Sequence, residues 1–395
     1  MKSTARFAYL YFLYLAASAM MSTYWPYHLE GLGLSQSAIG SLFASTTAIA
    51  VVTQLTLAGF SARLDRPALL MGAALCATAL IACSLPWVSS AWGFVALFGL
   101  MMVPRSTILP LTDAITVQAI GSEGYDRVRA WGTIGYGSAA ALFGLLTHQI
   151  TYAEAGWWAT VAFAAMLSAT LVALPGLYTQ LPQRPPPSPS TSQPNSDLRG
   201  LIRQPLLVRL LLLGAFHWGG ITIFNIYTPL HTKALGYSNA VPGAIVAMAI
   251  IAEVVGFSVA SRLFRWRAAH RWMPIIFALG IGRWIATGLV TSVPALIALQ
   301  AMHMITFGVW LSANMRLLGF FAPDEHRSGV QSLFFATTFG AGGVLGAMLG
   351  GWIMEHHGGA STFFAAAGLD LIALLMWTLS LRTWTPKEMF EATNT

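Results

Sequence analysis

Charge is scarce in this sequence. Only 9% of its 395 residues are Asp, Glu, Lys or Arg, against about 25% in a soluble domain. A chain of this length with so few charges cannot cover a water-facing surface, so a soluble fold is excluded. Cysteine is scarcer still. Cys76 and Cys83 share one apolar stretch, two helical turns apart, roughly 10 Å, which is too far for a disulfide, so they read as packing residues. Also missing are a His-Glu-x-x-His pair, a Gly-x-Ser-x-Gly elbow and any Cys/His spacing suited to a metal. No metal, cofactor or enzymatic chemistry is therefore expected.

What is present is apolar. Hydrophobic residues make up 56% of the chain, the mean hydropathy is +0.65, and there are 14 Trp and 22 Phe. Spanning a bilayer takes about 20 mostly apolar residues. Segments of that kind run near 7–29, 38–62, 67–86, 91–119, 130–150 and 156–178, then near 205–229, 240–262, 272–292, 294–320, 328–352 and 360–382. The fourth and tenth are long enough to imply tilt or extension beyond the lipid. The first runs past the length of a leader's apolar core and lacks a small-residue cleavage site, so it reads as a span that is retained. Between the two sets, residues 179–203 hold the run Gln183-Arg184-Pro185-Pro186-Pro187-Ser188-Pro189, a solvated linker. The expected organisation is a bundle over 1–178, the linker over 179–203 and a bundle over 204–395.

The basic excess of 21 Lys and Arg over 14 Asp and Glu is topological. Arg105 and Arg283 fall inside spans and Lys233 in the loop after the seventh. The rest gather at the termini, in the linker and in alternate loops: Arg63 and Arg66, Arg127 and Arg129, Arg262, Arg265, Arg267 and Arg271, Arg316 and Arg327. The positive-inside rule places both termini and the linker in the cytoplasm of an inner-membrane protein, with no nucleic-acid partner. Two stretches repeat. Tyr24-Trp25-Pro26, Leu32-Gly33-Leu34-Ser35 and Gly40 are echoed by Tyr227-Thr228-Pro229, Leu235-Gly236-Tyr237-Ser238 and Gly243 at an offset of 203, and Ala62-Arg63-Leu64 by Ser261-Arg262-Leu263 at 199. Parallel repeats of this kind predict two pseudo-symmetric halves of an all-α membrane protein.

Ionisable side chains inside a membrane are costly and mark function. Here they are Arg105, Asp113, Glu253, Arg283, His303 and Asp370, with Arg129 close enough to reach inward. Asp113 and Arg129 lie on successive antiparallel spans and are expected to meet as a carboxylate–guanidinium pair, serving either substrate or helix pairing. Arg105 precedes Asp113 by roughly 12 Å of helix, too far to pair with it directly, and suits an anionic substrate group. Burial favours the neutral form of a carboxyl group, which makes Glu253 the leading proton carrier, with Arg283 opposing that tendency. At the 199 offset the mate of Glu253 is Gln54. His303 can bond substrate, relay protons or sit neutral in the core. Asp370 is either functional or a helix neighbour. Tyr24, Tyr27, His217 and Asn225 are candidate cavity-lining groups.

Several of these residues sit in recognisable contexts. Tyr125-Asp126-Arg127-Val128-Arg129-Ala130-Trp131-Gly132 resembles the Arg-x-Arg-x-aromatic-Gly pattern of the lactose permease / phenylpropionate permease branch of the major facilitator superfamily. Pro110-Leu111-Thr112-Asp113-Ala114, Ala252-Glu253-Val254, Gly282-Arg283-Trp284, Met302-His303-Met304 and Met315-Arg316 are similar to further segments of that branch. The resemblance covers nearly the whole chain. It implies a major facilitator fold of twelve transmembrane helices in two six-helix halves. It also implies that Asp113 and Arg129 contact substrate while Glu253, Arg283 and His303 link substrate to proton. There are two departures. Thr306 stands where lactose permease members keep a proton-carrying acid, three residues after the histidine. The loop signature between the second and third spans is reduced to Gly59, Arg63, Asp65 and Arg66.

The leading expectation is a monomeric proton symporter importing a small organic solute, an aromatic or other organic acid first. A sugar or nucleoside symporter is the alternative. Drug–proton antiport is disfavoured because Gly132-Thr133-Ile134-Gly135-Tyr136-Gly137 lacks the proline that exporters of this superfamily pair with glycine. A receptor or scaffold on the same fold is a reading of another class.

Overall fold

The computed structural model describes residues 2–61, 67–175, 204–266, 268–321 and 327–381. The Pro-rich linker, the Arg63-Asp65-Arg66 remnant and Arg267 fall outside this set. Every regular element among the described residues is helical. In chain order they are α1 (Lys2–Gly31), α2 (Gln36–Ser61), α3 (Pro67–Ser84), α4 (Ala91–Leu146), α5 (Tyr152–Thr170), α6 (Pro205–Ala234), α7 (Ala240–Trp266), α8 (Ala269–Leu289), α9 (Val293–Ala298), α10 (Trp310–Phe321), α11 (Arg327–Phe334) and α12 (Gly342–Leu381). Nine helical runs among the described residues are long and apolar enough to cross a membrane. α1, rich in Tyr, Ser and Thr, is not one of them.

Two expected loops are not loops. Residues 120–129 are helical except at Gly121, where φ is +74° and α4 kinks. α12 is likewise interrupted only at Gly358, where φ is +78°. A single residue in the left-handed region redirects a chain without a loop, and glycine takes that conformation at no steric cost. The expected span 294–320 is also irregular. A 3-10 turn at Leu299–Met302 and a π-helical turn at Met304–Val309 separate α9 from α10, and a second π turn, Phe335–Ala341, separates α11 from α12. π turns inside α-helices recur at functional sites.

The described residues form two compact units. Unit 1 draws on Met1–Ser190 with Thr232–Ile250, and unit 2 on Thr191–His231 with Ile251–Thr395. In unit 1, α1 packs along α4 and α5 with Tyr11, Trp25 and Tyr27 fully buried. Trp25 stands edge-on to Phe94, Phe98 and Phe163, a geometry that adds to simple area burial. α5 opens with a capping box, Thr151 accepting from the Glu154 backbone N–H while the Glu154 carboxylate accepts from that of Thr151. The core of unit 2 surrounds Phe277, Trp310 and Phe334.

The repeat seen in sequence holds in three dimensions. α1 ends with Gly33 N–H bonded to Glu30 C=O and Leu34 N–H to Leu29 C=O; α6 ends with Gly236 N–H bonded to Lys233 C=O and Tyr237 N–H to Thr232 C=O. Each is a Schellman closure around a glycine at φ +87° or +79°. Tyr24 Oη donates to Ala140 C=O at 2.7 Å, and its mate Tyr227 Oη to Ala347 C=O at 2.6 Å. A side chain at Gly135 would collide with the Phe12 carbonyl, and one at Gly342 with that of Ala215, the repeat mate of Phe12. The glycines therefore set how closely each helix pair approaches. Cys76 and Cys83 are both free thiols.

Candidate functional site

Unit 1 carries a polar group built on the pair expected from sequence. Arg129 Nε lies 3.8 Å from Asp113 Oδ1, with 31% and 32% of the two side chains exposed. Asp113 also accepts from Tyr11 Oη at 2.5 Å, and the Arg129 guanidinium sits 5.5 Å from the Tyr11 ring centre. The Asp113–Arg129 pair is thus anchored to α1 by a tyrosine. Arg105 does not join it. Arg105 Nη2 donates to Ser18 Oγ at 2.7 Å, its guanidinium lies over the Tyr14 ring, and its Nε has no hydrogen-bond partner. Tyr11, Tyr14 and Ser18 were not selected from sequence. Their spacing along α1 (i, i+3, i+7) is the signal that would have found them, because it puts all three on one helix face.

Two of the proposed cavity-lining tyrosines sit elsewhere. Tyr24 is fully buried, spending its hydroxyl on Ala140 and its ring on Phe143. Tyr27 is packed between Tyr24 and Tyr152. Both serve helix packing in unit 1. Asn225 is exposed on α6.

Unit 2 holds a connected polar cluster. The Arg283 side chain is completely buried. Its Nη1 donates to His303 Nδ1 and to Thr306 Oγ1, each at 2.9 Å, and its Nη2 to Gln300 Oε1 at 2.6 Å. The guanidinium also lies 4.3 Å from the Trp284 ring centre and 4.8 Å from that of Phe224, contacts that stabilise a desolvated cation. Arginine only donates hydrogen bonds, so His303 Nδ1 must accept, and His303 is held as the neutral tautomer with its proton on Nε2. That Nε2 lies 4.0 Å from Glu253 Oε2. Arg283, His303 and Glu253, the three residues that the resemblance groups, thus form a line with His303 between the other two.

His217 is not a lining residue, which corrects the expectation. It is fully buried, its Nδ1 at 2.5 Å from Asp370 Oδ1 and its Nε2 at 2.6 Å from the Thr306 carbonyl oxygen. Trp284 Nε1 donates to Asp370 Oδ2 at 2.8 Å. Asp370, which sequence left either functional or a neighbour, is therefore the partner of His217, 153 residues away. Gln300 was missed altogether. With His303 and Thr306 it falls at three-residue intervals on the irregular stretch between α9 and α10, and all three bond Arg283.

Comparison with known proteins agrees with this architecture. A probable 3-phenylpropionic acid transporter of Escherichia coli (strain K12) is 27% identical over 389 residues, covering 95% of this chain and 97% of that protein. A maltose permease of Geobacillus stearothermophilus is 26% identical over 377 residues, covering 94% and 93%. Among solved structures, the nucleoside transporter NupG superposes with a TM-score of 0.79 at 15% identity, over 98% of this chain and 100% of that one. A D-xylose–proton symporter gives 0.71 at 16%, over 95% and 96%. The model of the MFS_1 like family matches residues 4–365, and this chain, a multi-pass membrane protein with a major facilitator fold, belongs to that family of transporters.

Proposed function

We propose that this protein is an inner-membrane symporter that takes up a small organic acid together with protons. The observation that carries the reading is the pair of intramembrane arginines. Arg105 in unit 1 and Arg283 in unit 2 each spend their hydrogen bonds on neutral groups, and each keeps an Nε without a partner. A guanidinium buried without a bonded carboxylate, fully so at Arg283 and partly at Arg105, is a costly arrangement. A carboxylate-bearing solute relieves it, because the planar fork engages carboxylates bidentately. Similarity to a probable 3-phenylpropionic acid transporter supports an aromatic acid as the first solute to try. Glu253, beside His303, is the proton carrier in this reading. Both termini face the cytoplasm, the protein acts as a monomer, and no enzymatic step or cofactor is involved.

The test is uptake of radiolabelled 3-phenylpropionate into proteoliposomes holding the purified protein. An imposed acid-outside gradient is expected to drive accumulation above equilibrium, and a protonophore to abolish it. Equilibration without accumulation removes the proton; binding without uptake makes the protein a receptor. A neutral sugar is the second reading. It is favoured by the Asp113–Arg129 pair, which offers both a donor and an acceptor on partly exposed side chains, and by similarity to a maltose permease. Uptake of maltose in place of the acid would select it.

A further inference from the structure

We infer that His217 and Asp370 together form a proton-binding site, separate from Glu253, in which one proton is shared between His217 Nδ1 and Asp370 Oδ1. The inference follows from counting donors. His217 faces an acceptor at each ring nitrogen: the Thr306 carbonyl oxygen at Nε2 and the Asp370 carboxyl at Nδ1. A backbone carbonyl can only accept, so at 2.6 Å Nε2 must carry hydrogen; a bare nitrogen there would set two lone pairs against each other. The contact of Nδ1 with Oδ1 likewise needs a hydrogen, since otherwise two bare lone pairs would face each other. It belongs either to an imidazolium beside a carboxylate or to a carboxylic acid beside a neutral ring. In both cases the couple is electrically neutral and holds one proton more than a neutral imidazole with a carboxylate.

The surroundings are shaped to this couple. Asp370 Oδ2 accepts from Trp284 Nε1. A side chain at Gly280 would run into the carboxyl group, 2.9 Å from its carbon, so the glycine makes room for it. Phe277 and Trp310 flank the His217 ring, their ring centres 5.5 and 4.8 Å away. The charged and titratable groups nearby are Arg283 on α8, His303 before the π turn and, beyond it, Glu253 on α7.

Loss of the proton to water changes the couple from neutral to a net charge of −1. One hydrogen then remains for two acceptors, so either the Thr306 contact or the Asp370 contact must open. Thr306 lies within the π turn Met304–Val309 and its hydroxyl accepts from Arg283. An anionic couple would also draw Arg283 away from its neutral partners. Protonated, the couple leaves the guanidinium available to a substrate carboxylate; deprotonated, it competes for that cation. On the symport reading this makes proton binding precede acid binding.

The protein alone tests the site. Infrared spectra of purified protein carrying isotope-labelled aspartate, and separately labelled histidine, are recorded from about pH 4 to about pH 10. One midpoint is expected in both labels. The aspartate change should survive Asp113→Asn and disappear in His217→Gln and in Gly280→Ala, which displaces the carboxyl group while keeping every ionisable residue. If neither label reports a shared midpoint in the unmutated protein, or if the aspartate change persists unaltered in His217→Gln, the site is refuted whether or not Asp370 variants fold. In proteoliposomes, Asp370→Asn is expected to lose uphill accumulation of 3-phenylpropionate at least about tenfold while retaining exchange. Full accumulation by that variant overturns the site's role in coupling, whereas no proton-driven accumulation by the unmutated protein overturns the symport reading and leaves the infrared result standing.

Discussion

The Arg129–Asp113 pair of unit 1 keeps about a third of each side chain exposed, while the Arg283 cluster of unit 2, with His217 and Asp370, is sealed from solvent. Both rest on the same repeated frame: the Schellman closures at Gly33 and Gly236, the Tyr24 and Tyr227 hydroxyls on Ala140 and Ala347, and the close approaches at Gly135 and Gly342. The backbone geometry is therefore shared by the two units, whereas the polar side chains set on it differ. A partly exposed pair exchanges partners at little cost, whereas a sealed network penalises every lost partner.

The largest effect is expected on the sealed side. Arg283→Ala removes the hub of the cluster, and loss of its charge-assisted bonds, about 1.5–3 kcal/mol each, predicts a drop in 3-phenylpropionate uptake of at least about tenfold. Arg129→Ala should fall well short of that in the same proteoliposome assay, and an equal loss would erase the contrast. Arg105→Ala offers a sharper version, being expected to weaken binding of organic acids more than of sugars in a thermal-shift screen. Equal weakening of both removes the anion argument.

Next comes Glu253→Gln, expected to abolish pH-gradient-driven accumulation while sparing substrate exchange. Normal uphill uptake by this variant would leave Glu253 without a proton role. The frame itself should respond symmetrically. Gly135→Val and Gly342→Val each press a side chain onto a backbone carbonyl, at about 1–3 kcal/mol for overpacking. Similar drops in folded yield by size-exclusion chromatography are expected, and a large difference would show that the two helix contacts are not equivalent. The smallest effect belongs to Glu30 and Lys233, repeat mates that meet at 2.6 Å with about a third of each side chain exposed. A double-mutant cycle of Glu30→Gln and Lys233→Met should give at most about 1 kcal/mol, read by thermal unfolding.

Hydropathy and repeats made the fold readable in advance, because a bilayer demands long apolar helices whatever their neighbours are. The bends at Gly121 and Gly358 escaped this reading, since a chain can turn at one left-handed glycine with no polar loop to announce it. In the site, the Asp113–Arg129 pair was visible from spacing, and Arg283, His303 and Glu253 were named by resemblance, but their linear order was not. His217 was misread as cavity-lining because nothing local to it points to Asp370, 153 residues downstream. Gln300 was overlooked because a neutral amide carries no signal until its partner is known.

By itself, then, the sequence determined that this is a membrane protein of duplicated helices, with few charges and with most of them outside the spans. Apolar length and offset are properties of local chain chemistry. Beyond the Asp113–Arg129 pair, only the tertiary structure decided which polar groups meet. That depends on the rotation of each helix about its own axis, on how closely glycines let helices approach, and on the π turn at Met304–Val309, which alters the regular 3.6-residue phase along its helix. Those settings brought the Thr306 carbonyl to His217 and the Thr306 hydroxyl to Arg283, joining two polar groups that the sequence kept apart.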